Sequence, residues 1–301
     1  MHEDRPDDST PPLTPPALPP VANVARPITH GQTEAAVPIA MPVDFPLAQT
    51  APLRFPELDL RRRSALLDIG AVAAALFAGQ MLLGQFAEFL IDWRPDLGPF
   101  LFNTLLGVMA LTAVGFAMYF RDHTPSSIGL NRDNPVKLVL FGMAAMPICY
   151  FAVFLSAMCY VTFVGADLQS IARERQPLLD MAPAPTVATF LLFGVFTGFH
   201  EDVLFRGFVL TRVTALCKSR VAAIILSSIV FGFAHIYQGP LGVVQTTALG
   251  LVFCGLVTLT RSLWPAVIAH ALFNSISLSL MPLLRPWLES LMKEAGHGPL
   301  G

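Results

Sequence analysis

Three short stretches of this chain place ionisable or amide side chains inside apolar runs: Glu201-Asp202 with Arg206, Phe231 with His235, and His270 with Asn274. A charge at the centre of a bilayer is disfavoured by about 2.5–3.5 kcal/mol on insertion scales, so such groups belong in a bundle interior and mark a functional site. Asp202 and Arg206 are four apart with the acid first, the favourable order for a pair on one helix face. Glu201 lies about 100° around the helix from Asp202 and has no sequence-local cation on its own face, which leaves its carboxylate free to act as a general base. Phe231 and His235 are also four apart, so the ring supports the imidazole from one side. His270 and Asn274 repeat the spacing, and an imidazole and a carboxamide can both donate to a developing oxyanion. Each pair also has a plainer reading: a packed histidine, or polar glue between helices worth around 1 kcal/mol. What favours a site is that a carboxylate, two imidazoles and an amide recur on three separate segments. His200, beside Glu201, is expected to face solvent or a cavity. Gly194 and Gly198 form a small-xxx-small pair, most simply a helix-packing surface. The metalloprotease helix H-E-x-x-H is absent, because Leu204 stands where its second histidine would, and no G-x-S-x-G elbow occurs.

The elements that must position these residues are membrane helices. Hydrophobic residues make up 54% of the 301, charged ones only 13%, and mean hydropathy is +0.60. A soluble domain carries roughly a quarter charged residues. The fold class is therefore all-α, a polytopic helical membrane bundle of about seven transmembrane helices, with an eighth allowed. Spans are expected near 65–91, 98–120, 136–163, 186–214, 220–237, 240–260 and 264–284. The stretch 166–180, with Arg173, Glu174 and Arg175, is too polar to span and reads as an interfacial helix. The tail from Pro286 reads as a second interfacial helix or a short eighth membrane element. Residues 1–60 form a separate region holding half of all the prolines without a hydrophobic period, a disordered tail by composition. Residues 61–301 form the transmembrane domain. Cys149, Cys159, Cys217 and Cys254 show neither metal nor disulfide spacing and read as small apolar packing residues. A net charge of -2 gives nucleic acid no electrostatic footprint. Counting Arg and Lys on alternate sides, with Arg121 and Arg212 among the inner set, favours the N-terminus inside a membrane.

The three stretches resemble the motifs E-E-x-x-x-R, F-x-x-x-H and H-x-x-x-N of the CPBP family, the CAAX-processing and bacteriocin-processing intramembrane proteases, also called the abortive-infection family. Here they read Glu201-Asp202-Val203-Leu204-Phe205-Arg206, Phe231-Gly232-Phe233-Ala234-His235 and His270-Ala271-Leu272-Phe273-Asn274, in the family's order and within residues 185–285. The second acid departs from the pattern, since Asp202 stands where the family usually has Glu. The resemblance implies an intramembrane endopeptidase of a bacterial cytoplasmic membrane, acting on a membrane-associated protein or peptide. Glu201 and His235 would activate a water, His270 and Asn274 would stabilise the oxyanion, and Asp202, Arg206 and Phe231 would support them. No cofactor is required on this reading. The alternative is a zinc site made of Glu201, His235 and His270. A non-catalytic immunity or scaffold protein of the same fold competes with the protease. A transporter fits less well, because it would show an internal repeat.

Overall fold

The computed structural model describes residues 62–95, 97–131, 134–167, 170–171, 173–174, 186–217 and 219–294. The tail 1–60, expected to be disordered, lies outside these residues. Seven helices are described, all within one compact unit: α1 Arg62–Trp93, α2 Gly98–Tyr119, α3 Pro135–Val164, α4 Val187–Leu216, α5 Arg220–Ala234, α6 Gly239–Thr260 and α7 Trp264–Glu294. Among the described residues there is no strand. Six of the helices are long and apolar enough to cross a membrane. The chain is an integral membrane protein built as a helical bundle.

Two expectations about the spans need correction. The expected span 220–237 forms a helix of only 15 residues, α5, which stops at Ala234 and turns through a 3-10 segment at Ile236–Gln238. At 1.5 Å per residue such a helix covers about 22 Å, less than the hydrocarbon thickness. The tail from Pro286 is not a separate element, because α7 runs through Pro282 and Pro286 to Glu294 as one helix.

Local chemistry sets the boundaries. Asn134 caps α3 by accepting from the amides of Val136 and Lys137 at 3.0 and 3.3 Å, with Pro135 in the first turn. Thr186 and Thr189 form a reciprocal cap at the start of α4, and Ser219 accepts from Ala222 at the start of α5. Gly165 ends α3 in the left-handed conformation, at φ +70°. The start of α6 is capped from a distance: the Glu174 carboxylate accepts from the Leu241 amide at 2.6 Å. This part of the polar stretch 166–180 is therefore docked on a helix end, while Arg175 and the rest of it to 180 lie outside the described residues.

The bundle is apolar on both sides. Val114, Ile128, Phe208, Phe253, Val257 and Leu263 are buried at its centre, whereas Phe77, Leu82, Phe86 and Phe89 of α1 are mostly exposed. A lipid-facing surface has this character.

Candidate active site

Helix α4 carries the acids and is not a uniform α-helix. Two π-helical stretches, Phe190–Thr197 and Val203–Val209, flank a single α-helical turn at Gly198–Asp202. Wider π turns recur at functional sites, and spacing alone gave no sign of them. Glu201 and Asp202 both sit in the α-helical turn between them.

Asp202 and Arg206 are both fully buried and pair at 3.1 Å between Oδ1 and Nη1. The guanidinium also lies over two rings, with Cζ 3.9 Å from the Phe231 centroid and 4.9 Å from that of Phe253. The other Asp202 oxygen, Oδ2, stands 3.3 Å from Nδ1 of His270. The spacing of four pairs Asp202 with Arg206 alone. The structure has it serving both, because a carboxylate offers two oxygens and α7 passes close enough for His270 to reach the second.

Helix packing accounts for that approach. A Cβ on Gly198 would lie 3.0 Å from the backbone nitrogen of Ala271, and one on Gly194 would collide with the Ser275 hydroxyl. These two glycines let α7 lie against α4, and the residues they meet adjoin His270 and Asn274. The opposite ring nitrogen of His270, Nε2, lies 3.7 Å from Oε2 of Glu201. Asn274 donates from Nδ2 to the Phe193 carbonyl at 3.4 Å, within the first π stretch.

His235 arrives at the end of α5 rather than within it. It is the helix C-cap residue, with φ −104° and ψ 21°. Its Nδ1 is 2.8 Å from the Phe231 carbonyl, which can only accept, so Nδ1 carries a hydrogen. That Nε2 faces the same Glu201 oxygen, Oε2, at 3.8 Å. The Phe231 ring packs edge-on against His235 with centroids 4.6 Å apart. The early stop of α5 thus places an imidazole inside the bundle. Glu201, His235, His270, Asp202 and Arg206 are brought together, with Asn274 one turn further along α7.

His200 does not face solvent. It is buried, its Nδ1 meets the Phe196 carbonyl at 3.0 Å, and its ring occupies the space beside Gly107 of α2. The four cysteines are free thiols, two of them buried.

The zinc alternative would use Glu201, His235 and His270. Among the described residues no group of three or more His, Cys, Asp or Glu is arranged to hold a metal ion. The two imidazole nitrogens stand 3.7 and 3.8 Å from the Glu201 oxygen, wider than the roughly 3.3 Å between donors sharing a tetrahedral zinc.

A second polar cluster escaped the sequence reading. Asp68 of α1 binds Arg121 Nε at 3.0 Å and faces Arg212 Nε at 3.6 Å. Arg212 also donates to Thr211 at 3.0 Å and to His123 Nδ1 at 3.2 Å. Arg212 was counted among inner-side loop charges, but it is fully buried and ties the end of α4 to α1 and α2. Burial, and then the neighbouring Arg212 charge, lower the pKa of His123 below its ordinary value.

Residues 183–276 match the family model for the type II CAAX prenyl endopeptidase, Rce1-like. Over this segment the chain is similar to Rce1-like CAAX proteases. The segment spans α4 to the middle of α7 and contains all three motif stretches, while α1 to α3 lie outside it. No curated protein and no solved structure matches the chain.

Proposed function

We propose that this protein is an intramembrane endopeptidase in which Glu201 is the general base. The observation that carries the reading is the convergence of two imidazole Nε2 atoms, at 3.7 and 3.8 Å, on one oxygen of Glu201. With His235 neutral and its hydrogen on Nδ1, Nε2 is an acceptor, and so is the Glu201 carboxylate. Two acceptors at this separation are reconciled by a water that donates one hydrogen to each. The water's lone pair then points outward, toward a peptide carbonyl. As the water oxygen bonds to the carbonyl carbon, its proton passes to Glu201. The scissile C–N bond then breaks, and that proton goes to the departing amine.

The oxyanion needs donors. His270 has Nδ1 against Asp202, which accepts, so Nε2 carries a hydrogen only when the ring is an imidazolium. Arg206, Asp202, His270 and Glu201 then form two cations and two anions, a balanced set that a membrane interior tolerates. The shorter Asp202 reaches both Arg206 and His270, so replacing the family's usual Glu does not disconnect them. Asn274 spends one amide hydrogen on Phe193 and has a second for the oxyanion.

The family's description suggests a first substrate, a farnesylated quenched-fluorescent peptide with a C-terminal CAAX box. An unprenylated single-span peptide serves as the comparison. In vesicles, wild type should cleave at least one of these. Glu201→Gln should abolish cleavage while keeping the fold, because glutamine has the shape but cannot take the water's proton. Asn274→Ala should lower the rate by roughly 10²–10³. Exhaustive chelation of a metal-analysed sample should leave the rate unchanged. Loss of activity with chelator and its return with zinc would move Glu201 and the histidines to the role of ligands. A fully folded wild type inert to both peptides and to a membrane extract would favour the non-catalytic scaffold reading.

A further inference from the structure

Phe253 lies on α6, in none of the three motif stretches, within an apolar run that reads as ordinary core. Its side chain is fully buried. What sets it apart is its neighbours. Its ring lies 4.9 Å from the His270 ring with only 25° between the planes, a stacked arrangement. The Arg206 guanidinium also sits over it, at 4.9 Å. Phe231 closes a second side of the same box, 6.2 Å from His270 at 89° and 3.9 Å from Arg206.

We propose that Phe253 is a positioning residue for the candidate site, holding the plane of the His270 ring and the guanidinium that anchors Asp202. Contacts at the two nitrogens do not fix an imidazole. Both are long, 3.3 Å from Nδ1 to Asp202 and 3.7 Å from Nε2 to Glu201, which leaves the ring room to turn about its Cβ–Cγ bond. A parallel ring against its face removes that freedom. The face of a phenyl ring is also electron-rich, so it favours cationic groups beside it, and both of its polar neighbours carry or can carry positive charge. Aliphatic side chains of similar volume would fill the space but supply neither effect. The inference rests on the hydrolase reading for its catalytic consequence, but not for its structural one.

The test uses the full chain in detergent micelles, with 15N-labelled histidine. His270 is assigned by the signals lost in His270→Asn, and His235 by those lost in His235→Asn. Two changes are made at Phe253. Phe253→Leu removes the ring, and replacement by singly to multiply fluorinated phenylalanine keeps the shape while draining the ring face of electrons. In both, the His270 ring signals should shift and broaden in step with the change while those of His235 stay in place. The fluorinated proteins should keep wild-type thermal midpoints. Against whichever peptide the wild type cleaves, Phe253→Leu should lower kcat about tenfold with KM unchanged, a misorientation effect rather than a binding one. His270 signals identical to wild type across the fluorinated series would overturn the proposal and leave Phe253 as core filling. A kcat that tracks only folded yield would do the same. If wild type cleaves nothing while the His270 signals respond as expected, the positioning role stands and the hydrolase reading fails.

Discussion

Removing Arg206 separates structure from chemistry at this site. Its charge is fully buried, 3.1 Å from Asp202, and over two aromatic rings. Breaking a buried pair by deleting one partner is worth about 3–5 kcal/mol, because the other charge is left without compensation. The lost cation–π contacts add up to about 2 kcal/mol at a desolvated position. Arg206→Ala should therefore destabilise by roughly 5 kcal/mol, which is the whole margin of a weakly stable protein and a third of a robust one. The double variant Asp202→Leu with Arg206→Met should behave differently. Exchanging both ends of a buried pair for apolar groups is often neutral, so most of the folded yield should return. Activity should not return, because His270 has lost the acceptor at Nδ1. The assay is the monodisperse fraction after stepwise heating in micelles, run beside peptide cleavage in vesicles. An Arg206→Ala protein with a wild-type midpoint that lost only turnover would refute the anchoring role. So would a double variant that regained full turnover.

Three further outcomes follow from the geometry. Gly198→Val should push α7 away at Ala271, where even a Cβ would lie 3.0 Å from backbone; cleavage should fall more steeply than the melting temperature, and equal loss of both would contradict the close-packing argument. His123 has a lowered folded pKa, so the folded state favours its neutral form; that contribution is complete above pH 6.5 and is lost as pH falls below it. Melting temperature should accordingly decline on acidification below that point, and His123→Asn should flatten the decline; an unchanged slope in the variant would assign it to other groups. Deleting residues 1–60 should leave the melting temperature of the helical unit nearly unchanged, since that stretch has no apolar period with which to join a core; a clear drop would mean the tail docks.

What the residue order determined by itself is the helical membrane class and the grouping of polar side chains by face. Both depend on local quantities. An apolar run of about 20 residues must become a helix in lipid, where no water satisfies the backbone, and a spacing of four puts two side chains on one face. Six of the seven segments from 65 to 284 are legible for this reason, and so is the pairing of Asp202 with Arg206. The tertiary structure decided everything that depends on where a neighbouring helix passes. The π stretches on either side of Glu201, the early end of α5 that makes His235 a cap, and the second Asp202 contact, to His270, belong to this group. So do the burial of His200, the capture of Arg212 by Asp68 over a separation of more than a hundred residues, and the stacking of Phe253. The contacts of Asp202 with His270, of Asp68 with Arg212 and of Phe253 with His270 have no local signature, because each joins two helices. Spacing brings side chains to one face of a helix, but only packing sets what that face meets.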